Sequence, residues 1–189
     1  MDTRRHHPLR GVDVGVLGLG RFGRAFGELL AAAGARVRGF DREPGRPGAP
    51  LPRASSLRDL CAASRFVVVA TPVAATREVL EAAAPHLGEG HIVFDVGSVK
   101  VEPVRCMREV LGTRVPWTGT HPLFGPVSLA LGERPLTAVL CGDARHPAAA
   151  TRVGELLRGT GCRVVERSPE DHDREMARTH ALAYLIAKG

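Results

Sequence analysis

The sequence predicts an α/β protein of the doubly wound kind, with a mainly parallel sheet and helices on both faces, and three observations carry that prediction. Short, Val-rich apolar runs recur along the chain, as expected of strands buried on both sides. Stretches with apolar residues at helical spacing lie between them. A glycine-rich turn joins the first apolar run to the first helical stretch. At 189 residues the chain is long enough to bury a sizeable core in one domain.

The elements follow in order. Residues Val12 to Leu17 form the first strand. From Phe22 onward, Ala25, Phe26, Leu29, Leu30 and Ala33 repeat at helical spacing, and Gly34 is the stop signal. Ala35 to Phe40 is the second strand, ending at Asp41, which completes a βαβ unit. Residues 42–53 hold four prolines and two glycines and read as an irregular surface connection. Leu57 to Ala63 is a short helix, Phe66 to Ala70 the third strand, Thr71-Pro72 a turn and Ala74 to Ala84 a helix. Ile92 to Asp95 is the fourth strand, Glu102 to Leu111 a helix, and Val115 to Gly119 and Leu136 to Cys141 two more strands. Pro147 to Arg158 is a helix leading to a last strand at Arg163 to Val165. Ser168-Pro169-Glu170-Asp171 supplies an N-cap serine, a proline at the first helical position and acidic residues in the first turn, so a helix starts there. Its apolar face, with Met176, Ala177, Ala181, Tyr184 and Leu185, packs either on its own domain or on a partner chain. The expected organisation is a loose arm over 1–10, a dinucleotide-binding domain over 11–167, and a C-terminal helix over 168–189.

Composition narrows the function classes. Hydrophobic residues make up 44% and charged residues 24%, which fits a folded globular chain rather than a disordered one. The net charge of +6 raises nucleic-acid binding, but of 26 basic residues only Lys100 and Lys188 are lysines, and the arginines do not cluster. With no recognition motif beside that charge, no nucleic-acid partner is expected. Cys61, Cys106, Cys141 and Cys162 are widely spaced and form no Cys-x-x-Cys pair, so they read as buried free thiols in a reducing cytoplasm rather than a disulfide framework or metal site. No apolar run reaches the ~20 residues of a membrane span, and a cytoplasmic location is expected.

Three segments carry chemistry. Gly18-Leu19-Gly20-Arg21-Phe22-Gly23 matches G-x-G-x-x-G between a strand and a helix: the first glycine permits the tight turn, the second lets backbone approach a pyrophosphate, and the third allows close helix–strand packing. Asp41 stands 18 residues after Gly23, close to the ~20 expected for a carboxylate that hydrogen-bonds the adenine ribose. It favours NAD over NADP, while Arg42 beside it is the residue that would accommodate a 2'-phosphate. Thr71, Pro72 and Val73 follow the third strand and read as a wall for the nicotinamide ribose, or as a simple turn. Ser98 lies just past the fourth strand and His121 just past the next, at the sheet edge where such folds bind ligand. Histidine suits proton exchange near neutral pH, and a serine hydroxyl can orient it or bridge it to the cofactor. Lys100 either attracts an acidic substrate or holds its loop through backbone carbonyls. His172 and His180, eight residues apart on one helix face, either approach a ligand or only pack. His6, His7, His86, His91 and His146 read as solvated.

These segments resemble the prephenate and arogenate dehydrogenases of tyrosine biosynthesis. The matching residues are the glycine turn, Asp95-Val96-Gly97-Ser98-Val99-Lys100, Thr120-His121-Pro122-Leu123-Phe124-Gly125-Pro126, and His172-Asp173 with Met176-Ala177 behind them. The resemblance implies a Rossmann-like fold and an NAD(P)-dependent oxidative decarboxylation of prephenate, arogenate or 4-amino-4-deoxyprephenate. It also implies that His121 is the acid/base group, that Ser98 orients it and contacts the nicotinamide, and that Lys100, Gly125, His172 and His180 lie toward the substrate. Members commonly continue into a helical dimerisation domain that completes the pocket, so a homodimer through the C-terminal helix is expected; Val127 stands where many members carry Glu. Two other readings stay open: a dehydrogenase or reductase of another substrate class, such as a β-hydroxyacid or imine reductase, and a non-catalytic NAD(H)-binding module.

Overall fold

A computed structural model describes residues 7–43 and 51–188, with side chains through residue 179. The elements run β1 (Asp13–Leu17), α1 (Arg21–Ala32), β2 (Arg36–Phe40), α2 (Leu57–Ala62), β3 (Phe66–Val69), a 3-10 turn (Val73–Ala75), α3 (Thr76–Ala83), β4 (Ile92–Asp95), α4 (Val101–Val110), β5 (Trp117–Pro122), α5 (Pro126–Ala130), β6 (Leu136–Cys141), α6 (Pro147–Gly159), β7 (Cys162–Glu166) and α7 (Pro169–Lys188). They build a seven-stranded sheet in the order β2-β1-β3-β4-β5-β6-β7. Strands β1 to β5 are mutually parallel, β6 runs antiparallel to β5, and β7 is parallel to β6. The expected α/β class with a mainly parallel sheet is what the chain adopts.

The Val-rich runs are strands because both of their faces are covered. Val14, Val16, Val68, Ile92 and Phe94 join one core with Phe26 and Leu30 of α1 and Val153 and Leu157 of α6. Alternate residues Leu17, Val67, Val69 and Val93 join a second core with Leu60, Leu80, Met107 and Trp117. Period-2 side chains thus feed two separate layers, and each large apolar side chain so buried contributes about 1.5–3 kcal/mol.

Two expectations need correction, and one helix is added. Residues 7–10 are no loose arm: Leu9 is buried, and its amide donates to the Ala33 carbonyl at 3.0 Å. Strand β5 does not stop at Gly119 but runs to Pro122, which places His121 inside the strand, opposite Val139 of β6. Gly119 weakens the sequence signal for a strand, yet it is needed there, since a Cβ would lie 2.9 Å from Val104 Cγ2 of α4. Helix α5 was unforeseen; it spans only five residues behind a proline and packs toward α1, where the Phe124 ring meets Phe22 at 6.2 Å. The irregular 42–53 connection lies partly outside the described residues; its end returns to the sheet as a bridge between Arg53 and Gly39.

Candidate active site

Strand β1 has β2 on one side and β3 on the other, which makes their carboxyl ends the switch point at which open α/β sheets bind ligands. The turn after β1 is shaped for close approach. Gly18 has φ +95°, and a Cβ there would lie 2.7 Å from the Ala70 carbonyl oxygen. A Cβ on Gly23 would collide with the Gly18 carbonyl oxygen, so α1 seats on β1 only without that side chain. Gly20 differs, because a Cβ there meets nothing within 4 Å; the second glycine faces open space in front of the α1 N-terminus, as a pyrophosphate requires. Leu19 is buried, Arg21 exposed, and Phe22 stacks on Phe26 at 5.7 Å.

Beside this turn lies a cleft of about 150 Å³, lined by Gly18, Asp41, Arg42, Thr71, Pro72 and Glu78 among others. Asp41 Oδ2 accepts from the Leu19 amide at 2.6 Å and Oδ1 from the Glu43 amide at 2.9 Å. Each oxygen keeps a second lone pair for a ligand hydroxyl. Arg42 is paired with Glu78 at 2.6 Å. The Thr71 hydroxyl is buried with no hydrogen-bond partner among the described residues, a state that costs about 1–3 kcal/mol unless a ligand or water satisfies it. These features fit an adenosine diphosphate moiety. Thr71 and Pro72 line the same cleft as Asp41. Val73 turns the other way, with its Cγ2 3.3 Å from where a Cβ on Gly97 would stand.

Further along the same edge, β4 ends in Asp95. The β4–β5 ladder stops at Phe94↔Thr118, and side chains carry the connection beyond it. Asp95 Oδ1 accepts from the Thr120 amide at 3.3 Å, and the Thr120 hydroxyl donates to the Asp95 carbonyl at 2.5 Å. Lys100, fully buried, forms an ion pair with Asp95 Oδ2 and donates to the Thr120 carbonyl. Of the two roles left open for Lys100, this is the second: its charge is spent inside the protein, holding the backbone next to His121, and it does not face a substrate. Ser98 lies exposed in the loop between β4 and α4.

His121, half-buried, is joined to α7. Its Nδ1 is 2.8 Å from Nε2 of His172, with the rings edge to face at 5.0 Å. His172 is 1% exposed, and its Nδ1 donates to Asp173 Oδ1 at 2.7 Å. Asp173 also accepts from the Lys100 and Val101 amides at 2.7 and 2.9 Å, at the start of α4. Burial works to raise the Asp173 carboxyl, but the Val101 amide, His172 and the Lys100 amide outweigh it and hold the group below its ordinary range.

The structure thus gathers His121, His172 and Lys100, puts Ser98 in the adjoining loop, and sets Gly18, Gly20 and Asp41 along the same edge. Gly125 is the N-terminal flank of α5, with open space at its Cα. His180 lies on α7 with its side chain outside the described residues. Asp95 and Asp173 were given no role from sequence, although each stands inside a segment singled out there; an acidic residue at a strand end and one beside a histidine were the available signals. His146 and His91 are not solvated: His146 is buried against Trp117, and His91 Nε2 lies 3.1 Å from the Cys61 carbonyl. All four cysteines are free and buried, as expected, and burial pushes the Cys61 thiol up to about 11 and Cys141 to about 12. Among the described residues there is no metal-binding cluster, and no helix is long and apolar enough to cross a membrane.

Residues 35–166 match the family described as Prephenate dehydrogenase, nucleotide-binding domain. The chain is 31% identical over 122 residues to a probable arogenate/prephenate dehydrogenase of Methanocaldococcus jannaschii, covering 64% of this chain and 27% of that protein. It is 31% identical over 190 residues to the 4-amino-4-deoxyprephenate dehydrogenase of Streptomyces pristinaespiralis, covering 91% of this chain and 60% of that protein. In structure it is similar to the Aquifex aeolicus prephenate dehydrogenase solved with hydroxyphenyl propionate and NAD+, with a TM-score of 0.75, 23% identity, and coverage of 95% of this chain and 69% of that one. The chain spans from about a quarter to three fifths of the length of these curated relatives. With the glycine turn, the Asp95–Lys100 loop and His121 on one sheet edge, and this match over most of its length, the chain belongs to the prephenate dehydrogenase family as a nucleotide-binding domain.

Proposed function

We propose that this domain binds NAD and that the whole protein performs the oxidative decarboxylation of prephenate or a close analogue, arogenate or 4-amino-4-deoxyprephenate. The observation that carries this is His121, presented at the sheet edge that also holds the dinucleotide turn and tied through Nδ1 to His172. NAD, when bound, supplies the acceptor for the hydride that leaves the ring carbinol carbon. His121 takes the proton of the ring hydroxyl in prephenate and arogenate; in the amino analogue the ring amine stands in that place. The bond to the ring carboxylate then breaks, carbon dioxide leaves, its bonding pair aromatises the ring, and the proton held on His121 returns to the ring oxygen. Ser98, in the adjoining loop, is proposed to orient the imidazole and contact the nicotinamide, and Gly125 and His180 to border the substrate side; His172, fully buried, stands behind His121 and not against a substrate.

Charge in the cleft favours NAD over NADP. Two carboxylates, Asp41 and Glu78, line it with Arg42, and Glu78 already occupies that guanidinium. A 2'-phosphate would have to displace Glu78 and approach Asp41.

NADH formation with each of the three substrates tests the reading; no turnover of any by the full-length protein would sink it. We also propose a cytoplasmic homodimer that α7 helps to form. Exposed Val99, Val101, Leu123, Val127 and Leu131 flank the His121 edge and need cover. Light scattering that finds only monomer in the full-length protein would exclude the dimer, and cell fractionation tests the location.

A further inference from the structure

We propose that Asp173 and His172 form a positioning relay that holds His121 as its Nδ1–H tautomer and so makes Nε2 its basic nitrogen. The relay rests on the reading of His121 as the acid/base group and deepens it.

The argument is one of donors and acceptors. An ionised carboxylate only accepts, so Asp173 Oδ1 places the proton of His172 on Nδ1, 2.7 Å away. A neutral His172 then has only an acceptor at Nε2. That nitrogen is 2.8 Å from His121 Nδ1, so His121 must be the donor across this contact, and its remaining nitrogen, Nε2, carries the lone pair. The order runs carboxylate, imidazole, imidazole, and each link fixes the next. The reverse arrangement, with His121 Nδ1 as acceptor, requires His172 to carry protons on both nitrogens.

The surroundings keep the relay rigid. His172 is 1% exposed, so no water competes for its nitrogens. Asp173 is held by the Lys100 and Val101 amides as well as by His172, which ties α7 to the start of α4. Lys100 and Asp95 sit beside the relay as a closed ion pair and leave no net charge. The arrangement also accepts charge. When Nε2 of His121 takes a proton, the proton on its Nδ1 can pass to His172 Nε2, which leaves His121 neutral and an imidazolium next to the Asp173 carboxylate. One N–H bond breaks, one forms, and no other reactant is needed.

Imidazole nitrogen NMR of the full chain labelled with ¹⁵N-histidine, without substrate or dinucleotide, reads the tautomer directly. The expected result is His121 with its proton on Nδ1 in the wild type, and a shift of population toward Nε2–H in Asp173→Asn. Nε2–H in the wild type, or a folded Asp173→Asn with an unchanged His121 spectrum, overturns the relay. If Asp173→Asn does not fold, the wild-type tautomer decides alone, and His172→Phe supplies a second comparison in which the constraint on His121 should disappear. Because no turnover is involved, an Nδ1–H His121 in a protein that oxidises none of the three substrates would sustain the relay and sink the proposed activity. A loss of kcat in Asp173→Asn, with the dinucleotide KM unchanged, would join the two.

Discussion

Lys100→Met strands a buried carboxylate, and the consequence can be worked from the structure. The Lys100 side chain is 0% exposed and that of Asp95 3%. Methionine fills a similar length but leaves Asp95 Oδ2 with only the Gly97 amide, at 2.9 Å, and removes a donor from the Thr120 carbonyl. Removing one partner of such a pair costs about 3–5 kcal/mol, because the other charge stays buried. At ~2–4 °C per kcal/mol for a domain of this size, Tm should fall by roughly 6–20 °C. The double variant Lys100→Met/Asp95→Asn no longer buries a charge and should recover about half of that loss or more. Thermal and urea unfolding followed by circular dichroism measure each quantity. A single variant within about 2 °C of wild type, or a double variant whose losses simply add, would refute the reasoning.

The glycine turn separates folding from binding: Gly23→Ala meets the Gly18 carbonyl and should cost about 1–3 kcal/mol by denaturant titration. Gly20→Ala meets nothing, so its unfolding midpoint should stay near wild type while NADH fluorescence titration shows weaker binding; equal stability losses in the two would contradict the assignment. Asp41→Asn should weaken NADH binding by about tenfold, the worth of one charged hydrogen bond, and narrow the preference over NADPH; an unchanged ratio would remove Asp41 from cofactor selection. Asp143 is held below the ordinary carboxylate range, chiefly by the Arg145 side chain, against burial and with help from the Arg145 amide and Arg108. Its stabilisation is present above the unfolded value and is lost as pH falls through the depressed one. Asp143→Asn should therefore be less stable than wild type by about 1 kcal/mol at neutral pH, and the difference should begin to shrink as pH falls below about 4 and close only below the depressed value; a gap that does not shrink as pH falls below about 4 would show that the charge is not its source.

What was legible in the sequence is what depends on neighbours along the chain. β1, the glycine turn and α1 form one local unit whose packing needs are written in Gly18 and Gly23, and β4 and β6 have the bounds their apolar runs announce. The apolar pattern ends β5 early because local preference at Gly119 and Pro122 opposes a strand. The antiparallel partner β6, which overrides that preference, lies across a loop and contributes no local signal. The same limit hid Lys100. Its rarity among the basic residues drew notice, but a lone ammonium looks alike in sequence whether it faces a ligand or neutralises Asp95 five residues away.

The relay lies across a long separation, with His121 and His172 51 positions apart, and no periodicity reports such a contact. It nevertheless rests on something local. Ser168 caps α7 by accepting from the Asp171 amide at 3.1 Å, and the His172 amide donates to the Ser168 carbonyl at 3.0 Å. The cap fixes where the helix begins, and the helical rise then fixes that His172 and Asp173 stand where its first turn passes into the second, next to the start of α4. A start signal readable in four residues thus sets the position of the group that decides which nitrogen of His121 is the base. The chemistry proposed at β5 is in this sense specified on α7, and a change that shifted that helix by one residue would turn His172 by about 100° and break the relay without touching His121.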